Sequence, residues 1–221
     1  MKKDAFTHLR QQMVQYQIAS RGVADERILQ AMRHVPRHRF VPPDYQDQAY
    51  DDHPLPIGSG QTISQPYIVA FMTEQLALKG DDKVLEVGTG SGYQAAVLAR
   101  LVRQVHTIER VAELAEKAEI IFKELNLTNI KVHVGDGSLG WVLDSPYQAI
   151  LVTAAAPACP PALLEQLDLG GRMIIPVGER FHQTLELWQR DEHGLQCRDV
   201  LPVMFVPLKG EQGWNPDDPQ L

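Results

Sequence analysis

Apolar residues recur along this chain at two different periods, and the changes of period divide it. Phe6, Leu9, Met13, Val14 and Ile18 follow helical spacing. That helix should end at Arg21-Gly22, where Gly22 suits a left-handed cap. Ile28, Leu29 and Met32 predict a second helix over 25–34, stopped by Val35-Pro36. The segment 36–65 keeps neither period and carries Pro42, Pro43, Pro54, Pro56, Gly58 and Gly60. Its apolar residues (Phe40, Val41, Leu55, Ile57) predict an ordered, functional loop rather than a disordered one. Pro66 then opens a helix that buries Ile68, Phe71, Met72 and Leu76, with Ser64 or Gln65 near its cap.

Beyond residue 80 short apolar runs alternate with helical patterns. Strands are predicted at 83–87, 104–109, 130–134, 147–152 and 172–177, with helices at 91–102, 111–125 and 160–167. Gly170-Gly171 reads as the last helix-to-strand turn. Such alternation implies a parallel sheet with right-handed crossovers and helices on both faces. Residues 184–188 alternate like a strand, Asp191-Glu192-His193-Gly194 reads as a turn, and 200–208 reads as a second strand, so a hairpin closes the sheet. The predicted fold class is α/β, doubly wound and mostly parallel with seven strands. It has an N-terminal helical and loop extension and a C-terminal antiparallel hairpin. The polar, proline-rich tail 211–221 is expected to be loosely held.

Composition narrows the partners. With 221 residues and 44% hydrophobic content the chain can bury a full core. A net charge of −7 implies no strongly basic face, so nucleic acid is a poor partner on charge grounds and none is expected. Two cysteines, Cys159 and Cys197, form neither a zinc pattern nor a disulfide framework, which fits a reducing compartment. Gln11, Gln12, Gln15 and Gln17 leave no apolar signal core, and no run is long enough to span a membrane. The histidines, His106 and His133 among them, show no metal-ligand spacing, and no metal is expected.

The candidate chemistry begins in Val84-Leu85-Glu86-Val87-Gly88-Thr89-Gly90-Ser91-Gly92-Tyr93. A strand ends in a carboxylate, meets three alternate glycines, and passes into a helix. The glycines permit a sharp turn and let a ligand lie against bare main chain, while the helix start presents free amides. Glu86 is expected to order this loop by accepting backbone amides. Glu109 ends the next strand, where a carboxylate can accept both hydroxyls of a ribose; a solvated strand-end acid is the alternative. Asp136-Gly137 follows the third strand, where a short acid can accept an adenine amino group; a plain Asp-Gly turn is the alternative.

The Gly88-x-Gly90-x-Gly92 run with Glu86 resembles the first motif of the Rossmann-like class I S-adenosylmethionine-dependent methyltransferases. The run Leu55-Pro56-Ile57-Gly58-Ser59-Gly60-Gln61-Thr62-Ile63-Ser64-Gln65-Pro66-Tyr67 resembles the signature loop of the protein-L-isoaspartate O-methyltransferases. Val35-Pro36-Arg37-His38-Arg39-Phe40-Val41-Pro42, Gly135-Asp136-Gly137, Thr153-Ala154-Ala155-Ala156-Pro157 and Phe205-Val206-Pro207-Leu208 extend the likeness over roughly residues 10–210. It implies one methyltransferase domain over 1–210, with a substrate-loop part at 1–80 and a cofactor-binding core at 81–210. It implies methyl transfer to the α-carboxylate of L-isoaspartyl, and D-aspartyl, residues in damaged proteins, by a cytoplasmic monomer. S-adenosylmethionine is the implied cofactor and S-adenosylhomocysteine the product.

Residue by residue, the likeness implies Ser64 as the active-site hydroxyl, with Thr62 and Ile63 covering the cofactor. It implies that Glu86, Gly88, Thr89, Gly90, Ser91, Gly92, Glu109, Asp136 and Gly137 hold the cofactor. Chemistry agrees with a modest role for Ser64. The acceptor carboxylate, with a pKa near ~3.5, is already ionised at neutral pH, so alignment and exclusion of water matter more than a general base. Helix capping before Pro66 is the alternative for Ser64. The edges at Pro56, Ile57 and Gly58 and at Val203, Phe205 and Val206 are expected to cradle an extended peptide through its main chain. The rival functions are a class I methyltransferase for another carboxylate or small-molecule acceptor, and a non-catalytic cofactor-binding module.

Overall fold

Strands too apolar to face water on either side form the middle of the molecule. The computed structural model describes residues 2–215 and 217. In it β3 (Lys83–Val87), β4 (Gln104–Glu109) and β6 (Tyr147–Val152) are buried along nearly their whole length. That is the signature of strands covered on both faces. They sit in a seven-stranded sheet of order β5-β4-β3-β6-β7-β8-β9, with β5 (Ile130–Val134), β7 (Leu167–Glu179), β8 (His182–Asp191) and β9 (Gly194–Val203). β5, β4, β3, β6 and β7 are parallel, and β8 and β9 close the sheet as consecutive antiparallel neighbours. The α/β, doubly wound expectation therefore holds.

The crossover helices cover the faces unequally. α4 (Tyr93–Leu98) and α5 (Ala112–Glu124) join α2 (Glu26–His34) and α3 (Pro66–Gln75) over the larger core, around Met32, Val97, Phe122 and Leu151. The opposite face holds a smaller core around Ile108, Tyr147, Ile150 and Met173, covered by α6 (Pro161–Glu165) through Leu163. No helix among the described residues is long and apolar enough to cross a membrane.

Several boundaries differ from expectation, each for a local reason. The first helix is α1 (Lys2–Gln12), continued by a wider π turn over Met13–Ile18 that buries Met13, Val14 and Ile18. It ends as foreseen at Gly22, with φ of 99°. α4 starts at Tyr93 rather than 91, because Gly92 stands at φ 87° and cannot be a helical residue. Gly170-Gly171 lies inside β7 rather than before it. Leu167 pairs with Tyr147 and Arg172 with Ala149, so the glycines form an irregularity that absorbs the extra residues. β9 begins at the turn itself, since Asp191 pairs with Gly194, and it leaves the sheet at Val203 rather than running on to 208.

The loop 36–65 is ordered, as expected, but holds a small hairpin of β1 (Leu55–Gly58) and β2 (Gln61–Ile63) with Ser59 and Gly60 at positive φ in its turn. Its strands are too short to show a period. The tail expected to be loose is anchored as far as Trp214. The Trp214 amide donates to Leu208 O (2.7 Å) and its indole to Ala155 O (3.0 Å), and the Glu211 amide donates to Asp136 Oδ2 (2.7 Å). Residues 216 and 218–221 lie outside the described residues.

Gly92 is a tight joint between loop and core. A Cβ there would lie 2.7 Å from Phe122 Cζ and 3.1 Å from Ala118 Cβ, at a left-handed φ. Gly92→Ala should therefore lower the urea-unfolding free energy by about 1–3 kcal/mol, from backbone strain and overpacking together. An unchanged midpoint would show that Phe122 can yield.

Candidate functional site

The sheet order makes a crevice. The chain winds from β3 outward through β4 to β5, then returns to β6 on the other side of β3. Connections leaving the carboxyl ends of β3 and β6 therefore diverge, and ligands of such sheets gather at that switch point. The loop 88–92 leaves β3 here. Its first residues are held by the neighbouring strand, with the Gly88 and Thr89 amides donating to Ile108 O at 2.8 and 3.2 Å. Thr153, the first residue after β6, holds it from the other side, its Oγ1 donating to Gly88 O (2.7 Å) and Val87 O (3.0 Å). A Cβ at Gly88 would fall 2.3 Å from that hydroxyl, so the residue must be glycine.

Above the loop lies a cavity of about 250 Å³. Gly88, Thr89, Gly90 and Ser91 line it, as do Glu109 and Gly137. Thr62, Ile63 and Ser64 form another part of its wall, so the upstream loop and the glycine run share one cavity. The contact between them is close: a Cβ on Gly90 would lie 3.4 Å from Ile57 Cδ1 of the hairpin. Gly92 does not line the cavity; it caps α4.

Glu109 is buried at the cavity wall. Its Oε2 accepts the Gly90 amide at 2.8 Å and its Oε1 the Val111 amide at 2.9 Å, so the strand-end carboxylate fixes the loop facing it. Glu86 does not reach the cavity. It is fully buried beneath the loop, with Oε2 paired to the Thr107 hydroxyl, which in turn meets the Thr89 hydroxyl at 2.6 Å. It thus supports the glycine loop through two threonines, not through the backbone amides expected. Burial, with the Glu109 charge adding, pushes its pKa up to about 8.

Asp136 also departs from expectation. Its Oδ1 accepts the Ser138 amide (2.9 Å) and hydroxyl (2.7 Å), its Oδ2 accepts the Glu211 amide, and Gly210 packs directly against it. Its oxygens thus tie the tail to a short turn. Asp136 lines an adjoining hollow, whereas Gly137 stands on the wall of the main cavity.

Ser64 is not a helix cap. Gln65 holds the cap position of α3 without a side-chain bond, and its Nε2 donates instead to Asp52 O (3.0 Å) and Oδ2 (2.9 Å). Arg21 donates to the same Oδ2 at 2.7 Å, with its guanidinium 3.5 Å from the centre of the Tyr67 ring. The other end of the loop is tied by Arg37, wholly buried, which donates from Nε to Ala49 O (2.8 Å) and sits over the Tyr93 ring. The segment bearing Ser64 is thus fixed at both ends.

The expected peptide edges are only partly open. Pro56 and Gly58 are exposed, whereas Ile57 turns inward to the glycine loop. The Phe205 amide and carbonyl are both taken by the Gln183 side chain, and Val206 O accepts the Ala155 amide. Val203 and Phe205 are absent from the cavity wall and Val206 is present. Among residues that sequence reasoning missed as ligand contacts, Arg110 and Lys209 bring two cations to the cavity wall of a net-acidic chain. Thr153 could have been found from its place after a central strand at the switch point.

The chain matches the family model described as Protein-L-isoaspartate(D-aspartate) O-methyltransferase (PCMT) over residues 8–213. It is 52% identical over 210 residues to protein-L-isoaspartate O-methyltransferase 1 of Syntrophobacter fumaroxidans, covering 95% of this chain and 98% of that one. It is also 52% identical over 215 residues to the protein-L-isoaspartate O-methyltransferase of Syntrophus aciditrophicus, covering 96% and 99%. Among solved structures, a putative enzyme of the same name from Plasmodium falciparum, in complex with S-adenosyl-L-homocysteine, superposes with a TM-score of 0.80 at 25% identity, covering 90% and 98%.

The Glu86 carboxyl makes stability depend on pH. Because its folded pKa of about 8 lies above the ordinary 4.5, the native state keeps a proton that the unfolded chain releases. The stability it contributes is present at low pH and is lost as pH rises through that window. Between pH 6 and pH 9 the wild type should lose about 2–3 kcal/mol more unfolding free energy than Glu86→Gln, measured by urea denaturation. Parallel pH profiles for the two proteins would show that Glu86 is ionised in the folded state.

Proposed function

The chain belongs to the protein-L-isoaspartate(D-aspartate) O-methyltransferase family, and on that premise we propose how its cleft carries out methyl transfer from S-adenosylmethionine to isoaspartyl carboxylates. The residues present fit the methyl donor. The main chain at 88–90 offers a surface without side-chain bulk, Glu109 stands opposite as an acceptor, and Val87, Ile108 and Leu208 supply apolar walls for a flat ring. Gly88, Thr89, Gly90, Ser91, Glu109 and Gly137 would hold it, with Thr62 and Ile63 covering it. When bound, S-adenosylmethionine supplies an electrophilic methyl on a positively charged sulfur.

Ser64 then has one task. Its neutral hydroxyl holds one oxygen of the acceptor carboxylate and leaves the other free to attack in line. An acceptor that is ionised already requires no base, and a close guanidinium would quench its nucleophilicity. Arg110 and Lys209, on the same cavity, draw the anionic substrate in by longer-range attraction. The observation that carries this reading is the shared cavity, whose wall includes both Ser64 and Gly90, with Ile57 of the hairpin packed on Gly90. Water is kept out by the hairpin, which the Asp52 and Arg37 contacts hold in place.

The peptide is received along the exposed Pro56–Gly58 edge, since the Phe205 backbone is already bonded. Backbone recognition of that kind tolerates any side chains around the damaged residue. Two free thiols, Cys159 and Cys197, support placement in the cytoplasm, and we read the enzyme as a monomer.

With labelled methyl donor and paired peptides differing only in Asp versus isoAsp, base-labile label should appear on the isoAsp peptide alone. Label on neither, or on both equally, would refute the acceptor assignment. Ser64→Ala should slow transfer about 10–100-fold through lost alignment. The same variant should leave S-adenosylhomocysteine affinity within about threefold, because a single peripheral hydrogen bond contributes little net binding. Glu109→Gln should do the reverse, weakening S-adenosylhomocysteine about 10-fold through loss of charge-assisted hydrogen bonding.

A further inference from the structure

On the β4–β5 edge of the sheet, outside the catalytic cavity, two histidines that show no metal-ligand spacing in the sequence meet. Lys131 on β5 pairs with His106 on β4, and His133 lies two residues further along, so both imidazoles project from the same face. His106 Nδ1 and His133 Nε2 are 3.1 Å apart. The turn at Val142–Asp144 brings a carboxylate to them, with Asp144 Oδ2 3.5 Å from the same His106 Nδ1. Each of the three residues offers one ligand atom, and these atoms all lie within 4.8 Å of one another.

We propose that His106, His133 and Asp144 form a binding site for a divalent transition-metal ion of the zinc class. Zn–N bonds of about 2.0–2.1 Å and Zn–O bonds of about 2.0–2.2 Å at tetrahedral angles put neighbouring ligand atoms about 3.3 Å apart, which the 3.1 and 3.5 Å separations bracket. Two imidazole nitrogens with one carboxylate suit zinc, nickel or cobalt and not magnesium or calcium, which demand oxygen ligands.

The surroundings already orient the ligands. Trp141 stacks on His133 with ring centres 4.0 Å apart, and its indole donates to Asp144 Oδ2 at 3.1 Å. His106 is fully buried, with Tyr147 against its ring edge-on. Asp144 is one-third exposed, which leaves a fourth position for water. Lys131 Nζ, 3.7 Å from Asp144 Oδ1, opposes a cation and must swing into solvent; its own side chain is half exposed. The ion would clip the loop 135–146, whose near end supplies Gly137 to the catalytic cavity, to the sheet at its far end.

The test is titration of the full chain, stripped with chelator, with Zn2+ alone. One Zn2+ should bind per chain by calorimetry and raise the melting temperature. Affinity should fall at least ~10-fold in His133→Ala and in Asp144→Asn, and stay unchanged in His182→Ala, a surface control. Both site variants should keep wild-type S-adenosylhomocysteine binding, which shows that they fold and separates this site from the catalytic one. Equal Zn2+ affinity in wild type and both site variants, or no stoichiometric binding to the wild type, would overturn the assignment and leave an imidazole–imidazole hydrogen bond.

Discussion

Everything in the site depends on one stretch of main chain, from the end of β3 through Gly92. It must turn from strand to helix within five residues and leave its upper surface clear. Gly88, Gly90 and Gly92 all take positive φ to do so. Such a turn is not stable alone, and the structure supplies supports from each neighbour: Ile108 O below, Thr153 Oγ1 to one side and the Glu109 carboxylate to the other. The surface offered to a ligand is bare at Gly88 and Gly90, because the side chains that fix it come from Thr153 and Glu109 on the neighbouring elements.

Glu86 shows the cost of that construction. A carboxyl with no exposure and one unpartnered oxygen is expensive to keep ionised, so it keeps its proton instead. It then connects through Thr107 to Thr89 as a neutral strut. Glu109, only two strand positions nearer the cavity in the parallel register, keeps two backbone amides on its oxygens. Two acids that look alike in sequence thus act differently because one sits under the loop and the other beside it.

The upstream loop completes the site by a different principle. It contains little regular structure, yet Arg37 and the Arg21–Asp52–Gln65 network bind its ends to the helical layer. Rigidity at the ends lets the hairpin rest on Gly90 through Ile57 and leaves Ser64 on the cavity wall. Acceptor alignment and donor binding therefore meet at a packing contact between segments some thirty residues apart.

Local order made much of this legible from the residues. The run of alternate glycines after an apolar strand, the strand-end position of Glu109, and the alternation of strands with helices are short-range patterns, and each is present, with four of the five strands at the predicted residues and the fifth starting earlier, at Leu167. What the sequence could not determine rests on contacts made at long range. Asp136 is committed to Glu211, seventy-five residues away, and the closed backbone at Phe205 depends on the Gln183 side chain. The register of β9 follows from the Asp191–Gly194 pairing, not from its own pattern, and the meeting of His106, His133 and Asp144 follows from the β4–β5 register and a turn that no period announces. Sequence alone determined the elements and the chemistry available at the strand ends, because backbone geometry and side-chain type act locally. Tertiary structure alone decided which of those groups face the cavity, because a carboxylate's role is set by how deeply it is buried and by whichever distant amide reaches it first.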